Sequence, residues 1–160
     1  MQVESEIIVN CPAQDVFDYI ARAEYLPEYV QDFDSVRQTS EGEPGLGTQY
    51  SYQMRRGAQG TFGWTRFDRP SQLAWEGPAV KAGLGSMQPA GWWELSEAGE
   101  GTNVKLVMAP TPGGLFKLLA PLMSAGMRKG NATALGRLKR RLEKGGTTPG
   151  ADEPGTAGPS

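Results

Sequence analysis

The sequence predicts an α+β domain in which a curved antiparallel sheet of about seven strands is gripped against one long C-terminal helix. Three features carry that reading. An early strand runs straight into a helix. A series of later segments alternates with period two. The last long apolar pattern, from Leu115 onward, has helical spacing. The order is β–α–α, then six strands, then one helix.

The first strand and helix meet at "IIVNCPAQDVFDYI". Val3, Ser5, Ile7 and Val9 fall on one face of an extended chain, with Glu4, Glu6 and Ile8 on the other. Pro12 disfavours helix for Cys11 before it and suits the first turn of a helix after it. Val16, Phe17 and Ile20 then follow at helical spacing, with Asp15 and Asp18 on the polar side. "RAEYLPEYVQDF" reads as a short second helix around Pro27, with Tyr25, Leu26, Tyr29 and Val30 apolar.

From Phe33 the period becomes two. Phe33–Ser40 is a strand and "EGEPGLG" a turn. In Thr48–Arg56, Tyr50, Tyr52 and Met54 share one face, opposite Gln49, Ser51, Gln53 and Arg55. Thr61–Asp68 and Gln72–Gly77 are the next strands, the latter with Leu73 and Trp75 on one face. Pro78–Pro89 reads as a loose Gly-rich loop, either a lid over a cavity mouth or a plain connector. Gly91–Ser96 and Thr102–Met108 form a hairpin with Trp93, Leu95, Val104, Leu106 and Met108 inward. The final helix carries Leu119, Met123 and Met127, then Leu135, Leu138 and Leu142; Pro121 kinks or restarts it. Gly126, Gly130 and Gly136 mark close packing or spare room, or else breaks between helical pieces.

Composition sets further bounds. Hydrophobic residues make up 38% of 160 residues, low for a compact domain, and the segment "GGTTPGADEPGTAGPS" contributes no large apolar side chain. The expected domain is therefore residues 1–144, followed by a disordered tail at 145–160. A net charge of −2 argues against a nucleic-acid partner. Arg128, Lys129, Arg137, Lys139, Arg140, Arg141 and Lys144 nevertheless stand against Glu143 alone between positions 128 and 144. That end is a solvated helix face with cations near the C-terminus, or, through Arg137–Lys144, a contact for an anionic surface. The expected location is the cytoplasm, without integral membrane association: no run approaches membrane-spanning length and no charged start precedes an apolar run. "NAT" at Asn131 reads as a chance glycosylation match.

The chain has no histidine and one cysteine, Cys11. A Ser/His/Asp triad, a Cys–His pair, imidazole metal sites and an intrachain disulfide are thereby excluded. No metal or cofactor is expected. Cys11 reads as a small buried apolar filler. Acid–base chemistry would need a shifted carboxylate, Lys, Tyr or Cys.

The inward rows place Tyr50, Tyr52, Met54, Trp64, Trp75 and Trp93 on one concave surface. Tyr29, Phe33, Leu119, Met123 and Met127 complete the candidate ligand-binding set. Aromatic walls with polar tips suit a flat, partly polar aromatic ligand.

This pattern resembles the helix-grip fold of the START/SRPBCC superfamily, which includes birch-pollen-allergen-like proteins and polyketide cyclases. "IIVNCPAQDVFDYI" is similar to that family's first strand, Ala-Pro turn and first helix, and "AEYLPEYV" to a segment usually carrying Trp-Pro, here Leu26-Pro27. "GLGTQYSY", "RFDRPSQLAWEG" and "WWELSEAGEGTNVKL" resemble its later strands, so the likeness spans about residues 3–143. Within the superfamily the chain is similar to the polyketide cyclase/dehydrase branch. Members of that branch fold a polyketide in the cavity and polarise its carbonyls with Arg, Tyr and Ser groups. Here Phe33 stands where a cavity Tyr is frequent, and the alternation points Arg55 outward. Arg66 shares parity with Trp64 unless a bulge intervenes.

The resemblance implies binding of a hydrophobic, polycyclic aromatic polyketide-type molecule, as carrier or as a sequestering self-resistance protein. One alternative is a cyclase/dehydratase, with Arg66 or Tyr50 as the acid or electrophilic group. Another is a lipid- or quinone-binding protein.

Overall fold

A computed structural model describes residues 1–144. The expected tail at 145–160 lies outside the described residues. Strand β1 (Val3–Val9) leads into helix α1 (Ala13–Ala21), a 3-10 turn (Ala23–Tyr25) and the short α2 (Leu26–Tyr29). Then come β2 (Phe33–Gln38), β3 (Gln49–Met54), β4 (Gln59–Asp68), β5 (Gln72–Glu76), β6 (Val80–Ala82) and β7 (Gly85–Gln88). The chain continues through β8 (Ala90–Ala98), β9 (Gly101–Met108), β10 (Thr111–Gly114), a 3-10 turn (Leu115–Lys117) and α3 (Ala120–Lys144).

Seven strands form one curled antiparallel sheet in the order β1-β9-β8-β5-β4-β3-β2. The N-terminal strand thus joins the last long hairpin, with Val3 opposite Met108 and Val9 opposite Thr102. The expected architecture, a helix-grip α+β fold, is the one observed.

The core follows from the two periodicities meeting. Val16, Phe17 and Ile20 of α1 are buried against the inward rows Tyr50, Phe62, Trp64, Leu73, Trp93, Leu95, Val104 and Leu106. Leu135, Leu138 and Leu142 cover the same core from α3. Each such leucine contributes roughly 1.5–3 kcal/mol by leaving water. Phe67 and Phe17 meet edge to face at 5.1 Å, and the Arg69 guanidinium lies 5.0 Å from the centre of the Phe17 ring while pairing with Asp18.

One expectation needs correction, and two readings left open by the sequence resolve. Pro78–Pro89 is not a loose loop: it holds the β6–β7 hairpin, and β10 adds to β7 to make a second sheet of three strands. Its pairing partner, "TPGG", has neither alternation nor β-branched bulk, so local pattern gave no strand signal. Glycine is required within this sheet, because a Cβ on Gly85 would sit 2.4 Å from the Phe116 ring. The glycines of α3 neither break the helix nor pack closely, since a Cβ on Gly126 or Gly130 would meet nothing within 4 Å. Pro121 occupies the second position of α3, where its missing N–H costs no hydrogen bond, so the helix restarts there rather than kinks.

Candidate functional site

The concave face divides into a packed end and an open end. At the packed end Tyr50 and Phe62 stack at 5.2 Å, and Trp64 meets each of them edge-on at 5.7 Å. α1 ends without a left-handed cap residue: Arg22, at φ −91° and ψ 88°, follows Ala21. The orphan carbonyl of Ala21 instead accepts the Tyr50 hydroxyl at 3.1 Å and the Trp64 indole N–H at 3.3 Å. Burial pushes the Tyr50 phenol above its usual pKa. The hydroxyl considered as an acid group is therefore a helix-end clamp inside the core. Trp93 is also core, 5% exposed.

At the open end, inward-facing side chains remain half-exposed. Phe33, Tyr52, Trp75 and Met108 pack against the margin of the core, while Met54, Met123 and Met127 stay half-buried beyond it. Two aromatics lie against glycines of the neighbouring strand. Tyr52 is opposite Gly60, where a Cβ would come within 2.4 Å of its hydroxyl; Trp75 is opposite Gly91, where a Cβ would come within 2.4 Å of its ring. Both rings are laid along the sheet over those glycines. Leu119, 40% exposed, stands at the outer margin before α3 begins.

Three buried side-chain polar atoms have no hydrogen-bond partner among the described residues, Tyr29 Oη, Asn131 Nδ2 and Arg137 Nε, and the first two lie where the two ends meet. The Tyr29 ring is 1% exposed and lies 6.5 Å from Trp93 and 5.9 Å from Tyr19. Its buried hydroxyl makes no hydrogen bond. Burial, then the Tyr19 and Glu28 charges, push its pKa up, so it stays a neutral phenol. Asn131 Nδ2 is likewise buried and unbonded. It lies on the buried face of α3, one turn from Met127 and one from Leu135. A buried polar atom without a partner costs about 1–3 kcal/mol.

Among the described residues, the polar anchors of α3 lie along its second half. Glu28 accepts from the Tyr19 hydroxyl and, at 2.6 Å, from Arg141, which ties α1, α2 and α3 together. Burial and this carboxylate raise the Tyr19 pKa. Lys139 donates to the Ile8 carbonyl and pairs with Glu143, both at 2.7 Å, and Glu143 accepts the Asn10 N–H at 2.8 Å. Within Arg137–Lys144, then, Lys139 and Arg141 are internal anchors.

Arg66 does not reach the concave face. A bulge between Trp64 and Arg66 shifts the register, so that Trp64 opposes Trp75 while Arg66 opposes Ala74. Arg66 points out and pairs with Asp68 at 2.7 Å, and Phe67 turns inward in its place. Arg55 points outward as its parity implies, donating to the Gln31 carbonyl at 2.6 Å. Phe62 and Asn131 were missed in the candidate set. Phe62 shares parity with Trp64, and Asn131 sits four residues from both Met127 and Leu135; those spacings were the available signals.

A curled sheet gripping a helix, with an aromatic concave face open at one end, defines a helix-grip protein of the START/SRPBCC type. The sequence model of the family described as "Polyketide cyclase / dehydrase and lipid transport" matches residues 1–143, and the chain belongs to that family. Among solved structures it is similar to TTHA0849 from Thermus thermophilus, at 20% identity and TM-score 0.69, covering 90% of this chain and 98% of that one. A conserved protein from Geobacillus kaustophilus superposes with TM-score 0.72 at 14% identity, covering 90% and 96%. The di-domain ARO/CYC BexL from the BE-7585A biosynthetic pathway matches at 17% identity and TM-score 0.67, over 89% of this chain and 46% of that one. No curated protein matches in sequence.

Proposed function

We propose that the open end of the concave face binds a hydrophobic, polycyclic aromatic polyketide-type molecule and carries or sequesters it, as a self-resistance protein does. The observation that carries this reading is the half-exposed aromatic and methionine wall of Tyr52, Trp75, Met123 and Met127, with the unbonded donors Tyr29 Oη and Asn131 Nδ2 buried behind it. A fused-ring ligand would cover Tyr52, Trp75, Met123 and Met127 and offer carbonyl or hydroxyl oxygens to those donors. The family description and the ARO/CYC likeness support a polyketide-related ligand.

A second reading, cyclase/dehydratase, draws on the Tyr29 phenol. That phenol stays protonated and can donate a hydrogen bond to a ligand carbonyl, polarising it. The two readings part in one experiment. A tetracyclic aromatic polyketide and a linear polyketide mimic are each titrated against the protein by tryptophan fluorescence, and the ligand is recovered for mass spectrometry. Saturable binding with the ligand returned intact supports carriage. Loss of water or ring closure in the mimic, abolished by Tyr29→Phe, supports the cyclase. Saturable binding of fatty acids or quinones alone would move the ligand class to lipids. No binding of any compound overturns the reading.

A further inference from the structure

We infer that the end of the molecule built from the β6–β7 hairpin, the Leu115–Lys117 turn and the first turns of α3 is a docking surface for an anionic lipid bilayer. Four leucines project there into water: Leu84 is 85% exposed, Leu118 78%, Leu122 73% and Leu115 45%. They are neighbours in space. Leu84 sits at the hairpin tip beside Gly83, whose φ of 61° makes the turn. The Leu84 carbonyl accepts the Leu115 N–H at 3.1 Å. Leu118 follows by a turn, its N–H bonded to the Leu115 carbonyl at 3.0 Å. Leu118 and Leu122 stand one helical turn apart in position.

Charge selects the partner. No acidic residue occurs between Glu76 and Glu94, nor between Glu100 and Glu143. The same segments carry Lys81, Lys117, Arg128 and Lys129, and none of these makes an ion pair among the described residues. In a chain of net charge −2, the two segments that supply the exposed leucines, 77–93 and 101–142, contain no acidic residue. Protein interfaces are depleted of lysine and enriched in buried aromatics. Apolar side chains that enter the acyl boundary, ringed by lysines that reach anionic headgroups, are what a bilayer recognises. The surface is also continuous with the open end of the concave face, since Leu122 is followed at once by Met123 and then Met127. Docking itself does not depend on the ligand proposed above; that ligand gives it a use, as passage between bilayer and protein.

The test is flotation of the full chain with vesicles of phosphatidylcholine alone and of phosphatidylcholine mixed with phosphatidylglycerol. The wild type is expected to float with the anionic vesicles, not the neutral ones, and to be released as salt rises. Leu118→Asp/Leu122→Asp and, separately, Lys117→Glu/Lys129→Glu should each weaken partitioning by at least about tenfold. Circular dichroism and the polyketide titration should be unchanged in both, because these side chains are exposed. The proposal is overturned if the wild type ignores anionic vesicles, or if the leucine variant binds them as well as the wild type. It is equally overturned if soluble polyglutamate binds as tightly as the vesicles, which would point to an acidic macromolecule instead.

Discussion

The two halves of α3 share one helix and one spacing rule yet have opposite fates. From Asn131 onward, Leu135, Leu138 and Leu142 are at most 3% exposed, and Lys139, Arg141 and Glu143 fasten the helix to β1, α2 and the turn after β1. From Ala120 to Gly130, Met123 and Met127 are half-buried, Leu122 is 73% exposed and two glycines have open space where a Cβ would be. Apolar periodicity marks which side chains share a face; it does not say whether anything fills the space in front of them. In the second half the filler is the protein's own core. In the first half, on the proposed function, the face meets the bound ligand.

The sharpest way to break this comparison is to shorten one leucine in each half. Leu138→Ala should destabilise by about 2–5 kcal/mol in urea unfolding, whereas Leu122→Ala should stay within about 0.5 kcal/mol. Equal losses would mean that both halves are packed.

Alkaline unfolding probes the packed end and the boundary together. Burial raises the pKa of Tyr19, Tyr29 and Tyr50 above the ordinary phenol value of 10.0. A raised folded-state pKa contributes stability in full below the unfolded value, and that stability is lost as pH rises through the folded one. Urea midpoints should therefore fall above about pH 10, and Tyr50→Phe should flatten that fall.

Tyr29→Phe separates stability from binding. It removes a buried hydroxyl that has no partner, so thermal stability should hold or rise by about 1 kcal/mol. Affinity for the polycyclic ligand should drop about tenfold. A large loss of stability would mean that the hydroxyl has a structural partner. Smallest is the effect of Glu143→Gln. The Lys139 ammonium and the Asn10 N–H hold the Glu143 carboxyl below its usual pKa of 4.5. The stability this provides is present above that pH and fades as pH falls through the lowered value, so the variant should lose part of the acid-side decline in thermal melts.

Much of the fold was legible in the sequence because the periodicities were clean. The Pro12 switch set β1 against α1, and Tyr50, Tyr52 and Met54 alternated without interruption. What escaped lay beyond local pattern. The small sheet exists because "TPGG" finds "GSMQ" more than twenty residues earlier in the chain. The bulge after Trp64 exchanged Arg66 for Phe67, and no residue type at Thr65 announces it. For the site, sequence parity identified the right face but could not grade its depth. Tyr50, Trp64 and Trp93 share that face with Tyr52 and Trp75, yet the first three are core: the Ala21 carbonyl at the end of α1 caps Tyr50 and Trp64, and Tyr29 of α2 meets Trp93.

The measurement that tests the central claim most directly is an amide-NMR titration of the protein with a tetracyclic aromatic polyketide. The account predicts saturable shifts at Tyr29, Tyr52, Trp75, Met123, Met127 and Asn131, with Leu135–Leu142 undisturbed. Shifts spread equally over both halves of α3, or no saturable shift at any concentration, would contradict it.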